Sequence, residues 1–144
     1  MLPEFQVNNG TKIELPSNVC SMESFDGGLT IGCSDGLLQS FTSSGDSKTH
    51  SKTHGSAVTA MSLTDSGCVG TSSVDGSVKV INSTFETENS FEGSTDETYS
   101  MDSSGSSLVM GGEDSKLRFY KLNSESDQPQ HVGNVLWSAL LDEC

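Results

Sequence analysis

Apolar and polar residues alternate along much of this chain. Val58-Thr59-Ala60-Met61-Ser62-Leu63 and Ser77-Val78-Lys79-Val80-Ile81 flank a third run, Cys68-Val69-Gly70-Thr71-Ser72. A period of two marks strands with one buried face. Asp75-Gly76 joins the last two runs in space; an Asp-Gly pair takes positive φ cheaply, so it predicts a type I′ hairpin turn. The pattern recurs upstream in Val19-Cys20-Ser21-Met22, Leu29-Thr30-Ile31-Gly32-Cys33, Ser34-Asp35-Gly36 and Leu37-Leu38-Gln39-Ser40-Phe41. It recurs downstream in Thr98-Tyr99-Ser100-Met101, Leu108-Val109-Met110-Gly111-Gly112, Asp114-Ser115 and Leu117-Arg118-Phe119-Tyr120. The turn residues Asp35, Asp75 and Asp114 are spaced by 40 and 39 positions, and the strand starts Val19, Val58 and Thr98 by 39 and 40. Repeats of about 40 residues with four short strands each predict stacked all-β units of the propeller type.

The ends extend the pattern. Glu4-Phe5-Gln6-Val7 and Thr11-Lys12-Ile13-Glu14-Leu15 predict a hairpin around Asn8-Asn9-Gly10, ended by Pro16. Residues 47–53 fit an outer strand whose lysines discourage pairing with other molecules. Val135-Leu136-Trp137-Ser138-Ala139-Leu140-Leu141 is the most apolar stretch, and Trp137 lies 39 residues after Thr98. It predicts the first strand of a further unit, with a short helix as the competing reading. The expected division is 1–17 for a partial hairpin, 18–54, 55–94 and 95–133 for three full units, and 134–144 for the next strand.

These motifs together resemble the WD-repeat β-propeller family over residues 19–132. His54 stands four residues before Val58, where that family places a histidine, and Asp75 fills its turn position. The positions of the family's Trp-Asp pair read Phe41-Thr42, Ile81-Asn82 and Tyr120-Lys121. The resemblance therefore implies three blades of four antiparallel strands, partial strands at both ends, and an incomplete His, Ser, Asp and Trp hydrogen-bond network in every blade. It assigns Asp35, Asp75, Asp114 and His54 structural roles. It also implies a non-catalytic scaffold or adaptor that receives a protein partner on one face of the disc. By matching positions, that face carries Ser56, Asp96 and Glu97 in the loops between blades and Ser34, Val74 and Glu113 before the turn aspartates. Asp96, Glu97 and Glu113 would form an acidic patch suited to a Lys- or Arg-rich peptide; a solvated surface is the plainer reading.

A blade cannot bury its face alone, and propellers typically have four to eight blades. With 144 residues the chain has room for three. A patched fourth blade, self-association through the incomplete edges around Phe5 and Trp137, or the rest of a longer protein would complete the ring.

Composition narrows the partner. Seven basic residues against 20 acidic ones leave a net charge of −13, which disfavours nucleic acid and anionic membrane surfaces. Cys20, Cys33, Cys68 and Cys144 show no CxxC spacing, and three fall in predicted strands as small buried hydrophobes. That favours a reducing compartment, cytoplasmic or nuclear. The triplets Asn9-Gly10-Thr11 and Asn82-Ser83-Thr84 favour a different reading, a secreted or cell-surface all-β adhesive domain. No cofactor or metal is expected: His50 and His54 would stand about 13 Å apart along a strand, and His131 is remote in sequence. No G-x-S-x-G elbow, phosphate-cradling glycine loop, HExxH or calcium loop occurs, so no catalytic constellation is expected. Gly27-Gly28 and Gly111-Gly112 fit turns or close packing.

Overall fold

The computed structural model describes residues 10–122 and the backbone of 130–136. Each alternating run of the three repeats forms a strand. β1 spans Val19–Phe25, β2 Gly28–Cys33, β3 Leu37–Thr42 and β4 Ser47–Lys52; β5 spans Val58–Leu63, β6 Val69–Ser73, β7 Ser77–Ile81 and β8 Thr87–Glu92; β9 spans Thr98–Ser104, β10 Ser107–Gly112, β11 Lys116–Lys121 and β12 Gln130–Leu136. They form three four-stranded antiparallel sheets, each a meander in chain order. The fold class is therefore all-β, built from blades of the propeller kind.

The blades stack through their faces, β1 beside β5 and β5 beside β9. Phe25 and Leu38 of the first blade meet Val58, Met61, Val69, Ile81 and Phe85 of the second. Val78, Val80 and Phe91 of the second meet Leu108, Met110 and Tyr120 of the third. Val58, Val69, Ile81, Leu38 and Leu108 are all fully buried, each worth about 2 kcal/mol of transfer free energy. The core thus lies between blades. Every blade has a front face, turned toward the blade before it, and a back face, turned toward the blade after it.

The turn around each aspartate has three residues, not two. Gly76 N bonds to Ser73 O at 3.2 Å and Gly76 has φ +87°, whereas Asp75 has negative φ. This is a turn followed by a left-handed residue, and the added Val74 is what excludes the type I′ geometry. The repeat places Gly36 (φ +88°) and Ser115 (φ +58°) at the same step. A two-residue turn with both residues at positive φ occurs instead at Asp26-Gly27, between β1 and β2.

Both ends differ from expectation. Residues 10–18 contain no strand, and the first half of the expected hairpin lies outside the described residues. A strand needs a ladder partner; here Leu15 packs onto Ile31, Cys33 and Phe41 on the front face of the first blade instead. At the other end, residues 134–136 do not open a further blade. They finish β12, the outer strand of the third blade, where Leu117 pairs with Val135 and Lys116 with Leu136. The whole of β11 thereby gains a hydrogen-bonded neighbour, whereas ending the outer strand at 133 would leave its first residues unpaired. Trp137 lies outside the described residues.

Candidate interaction surface

One rim of the stack is set by a bond that repeats in each blade. The residue before each turn aspartate donates its amide across to the chain just before, or at the start of, the first strand: Ser34 N to Asn18 O at 2.8 Å, Val74 N to Ala57 O at 3.3 Å, and Glu113 N to Glu97 O at 2.9 Å. The aspartates fix the turns from within. Asp35, Asp75 and Asp114 each accept the amide two residues on, from Leu37, Ser77 and Lys116.

At this rim each of the first two turns is also tied to the chain that leaves the outer strand of its own blade. Gly36 O accepts the amides of Thr53 and His54, both at 3.2 Å, and Gly76 O accepts Gly93 N at 2.9 Å. A side chain at Gly36 would lie 2.1 Å from His54 O, and its φ is left-handed as well, so glycine is required there twice over. Ser34 thus adjoins the loop that carries Ser56, and Val74 the loop that carries Asp96 and Glu97. Ser34, Asp96, Glu97 and Glu113 are exposed, Ser56 and Val74 half-buried.

In the second blade a polar chain anchors the rim. His54 is 3 % exposed; its Nδ1 lies 2.8 Å from Ser77 Oγ and its Nε2 2.8 Å from Thr71 Oγ1. Ser77 Oγ donates to Asp75 Oδ1 at 2.6 Å, and Gly55 N donates to Asp75 Oδ2 at 2.7 Å. The carboxylate is the strongest acceptor, so it fixes the direction: Ser77 donates to Asp75, His54 Nδ1–H donates to Ser77, and the Thr71 hydroxyl donates to Nε2 in preference to Lys79 O at 3.2 Å. Burial pushes His54 down to about 4 against the pull of Asp75. The imidazole is therefore neutral at pH 7, and its 3.7 Å approach to Asp75 is not an ion pair. Burial would raise Asp75, but the Ser77 hydroxyl and the Gly55 and Ser77 amides outweigh it and hold the group at about 2. Ile81 occupies the tryptophan position, so the network lacks that one member.

The other blades solve the same place differently. In the first, Leu15, Ile31 and Leu37 stand where the second has His54, Thr71 and Ser77, and they pack with Cys33 and Phe41. Asp35 is left with Ser17 Oγ, 3.1 Å away, and Leu37 N above all holds its carboxyl below the usual range. In the third, Arg118 forms a short ion pair with Asp114 that lowers Asp114 and raises Arg118. Tyr120, in the tryptophan position, is fully buried. It donates to Glu92 O at 2.9 Å and stacks at a tilt on Phe91.

The rim also holds a residue outside the expected set. Each first strand carries a bulge at the same register, after Val19, Val58 and Thr98, and a bulge re-aims a side chain. The extra residues are Cys20, Thr59 and Tyr99. Tyr99 is 64 % exposed, and the charge of Glu113, then slight burial, then the charge of Glu97 raise its phenol. An exposed aromatic ring thus stands amid the rim acids. The signal for it is a large aromatic next to the buried Thr98, out of step with the alternation. Among the described residues no three His, Cys, Asp or Glu side chains converge on a point that would hold a metal ion.

No family model and no curated protein matches the chain. Solved structures do. The chain is similar to the RRP9 WD40 repeats with a TM-score of 0.73 at 12 % identity, over 86 % of this chain and 40 % of that one. It is similar to U3-55K with a TM-score of 0.73 at 12 % identity, over 86 % and 41 %. It is similar to Sqt1 of Saccharomyces cerevisiae with a TM-score of 0.72 at 13 % identity, over 85 % and 35 %. The chain spans less than half the length of each. At these identities the likeness carries the fold, which is that of WD40-repeat propeller blades.

Proposed function

We propose that this set of WD40-type blades is a non-catalytic scaffold that holds a basic segment of a protein partner on the rim formed by Ser34, Ser56, Val74, Asp96, Glu97 and Glu113, with Tyr99 as its anchor. The observation that carries this reading is the exposed Tyr99 ring beside Glu97 and Glu113. A guanidinium or ammonium group laid on an aromatic face gains cation–π attraction of about 0.5–2 kcal/mol, and flanking carboxylates add charge-assisted hydrogen bonds. The net charge of −13 steers such a segment inward at low salt. Cys20, Cys33 and Cys68 stand as free thiols, which supports a reducing compartment, cytoplasm or nucleus.

The test is fluorescence anisotropy with a labelled Lys- and Arg-rich peptide, and an acidic peptide of equal length as control. Binding should be selective for the basic peptide, weaken with added salt, and fall about tenfold in Tyr99→Ala and in the Glu97→Gln, Glu113→Gln pair. Equal affinity for both peptides, or no change in the variants, sinks the reading.

A further inference from the structure

The front of the first blade is made like the fronts that the molecule covers. Met22, Met61 and Met101 occupy one register position, opposite Ile31, Thr71 and Met110. Leu29, Val69 and Leu108 occupy another, opposite Phe41, Ile81 and Tyr120. In the second blade these positions are shut away, Met61 at 7 % exposure and Val69 at 0 %; in the first, Met22 is 62 % exposed and Leu29 36 %. Val19 shows the same contrast with the buried Val58. Between them and Ile13, Ile31 and Phe41 lies an apolar groove of about 480 Å³.

The back of the third blade is made like the backs that do the covering. Leu38, Val78 and Leu117 share a register position, as do Ser40, Val80 and Phe119. The first two of each set are buried under the next blade, while Leu117, Phe119 and the neighbouring Val109 are only partly covered. At one position this back is more apolar than the covered ones: Val109, opposite Asp102, stands where the others have Thr30 and Gly70.

We propose that a second copy of this chain docks head to tail, the back of its third blade on the front of the first, and that the reciprocal contact closes a ring of two chains. The two faces, left open among the described residues, are the two halves of an interface that these residues already build twice. Two copies of the three described blades give six, within the usual propeller range of about four to eight. A heterologous contact that closes by rotation produces a ring, and one that fails to close produces an open polymer.

The experiment is light scattering after gel filtration on the full chain and two variants, Met22→Asp and Val109→Asp, with far-UV circular dichroism on each peak. Should Val109→Asp lose its strand signal, Leu117→Lys takes its place. The expected mass is about 30 kDa, twice the 15.2 kDa chain, falling to that of one chain in each variant. An equimolar mixture of the variants should regain the pair, because it restores one intact front-to-back contact. A single-chain mass for the unaltered protein, a pair that survives in either variant, a mixture that stays single, or a mass that climbs continuously with concentration would each overturn the proposal.

Discussion

The first and second blades fasten the same corner with opposite chemistry. Leu15, Ile31 and Leu37 fill by packing what His54, Thr71 and Ser77 fill by a directed chain of hydrogen bonds ending on Asp75. The difference teaches that the backbone at the rim does not require the polar network. A satisfied buried network and a matched apolar cluster are close in free energy; a half-satisfied network is far worse than either. The polar version differs in one respect, which is that its members depend on one another and on pH.

The largest break in that comparison is His54→Ala. It leaves Thr71 and Ser77 without their buried partner and opens a cavity, and should cost about 3–4 kcal/mol in urea unfolding. Acidification comes next. His54 has a folded value near 4 against 6.5 for the free group, so the unfolded chain binds more protons between those values. Stability should hold above pH 6.5 and fall by up to about 3 kcal/mol as pH drops to 4. Asp75, held near 2 against 3.8, adds a further loss below pH 4, in the same direction. Unfolding midpoints taken across pH 4–7 read this directly, and the slope should vanish in a His54→Leu variant. Leu15→Ala, at the matching place in the first blade, should cost about 1–2 kcal/mol because the site is only partly covered, with no pH dependence in that window. The smallest effect sharpens the comparison most. Transplanting the apolar set, His54→Leu with Thr71→Ile and Ser77→Leu, should recover most of what His54→Ala loses, to within about 1.5 kcal/mol of the natural chain. A transplant as unstable as His54→Ala would show that the second blade cannot do without its polar chain.

Much of the architecture is written in the repeat. The spacing of Asp35, Asp75 and Asp114 fixed the unit, and alternation placed the strands, because a strand with one buried face has little choice of pattern. The failures fall where a neighbour decides. Thr11-Lys12-Ile13-Glu14-Leu15 alternates like a strand, yet Leu15 is used for packing, and the segment has no ladder. Asp75-Gly76 reads as a two-residue turn because the end of β6 at Ser73 is set by pairing with β5, which local sequence does not reveal. Residues 134–136 look like a beginning because they are apolar, but it is the length of β11 that recruits them. The place of Asp96 and Glu97 in the loop before β9 was legible by matching the family's positions. Tyr99 was not, since a one-residue bulge leaves only a slip in the alternation. The apolar corner of the first blade was hidden for a similar reason: Leu15, Ile31 and Leu37 look like ordinary core residues until the register sets them beside His54, Thr71 and Ser77.

The carbonyls of Gly36 and Gly76 have a consequence for how the protein is made. Chains emerge from the ribosome amino end first. The first blade can pair its four strands once Lys52 is out, yet its rim turn gains its fastening only when Thr53 and His54 follow, and the turn of the second blade waits for Gly93. Each of these two blades therefore closes its own rim turn as soon as the residues after its outer strand are out, before the next blade has been made.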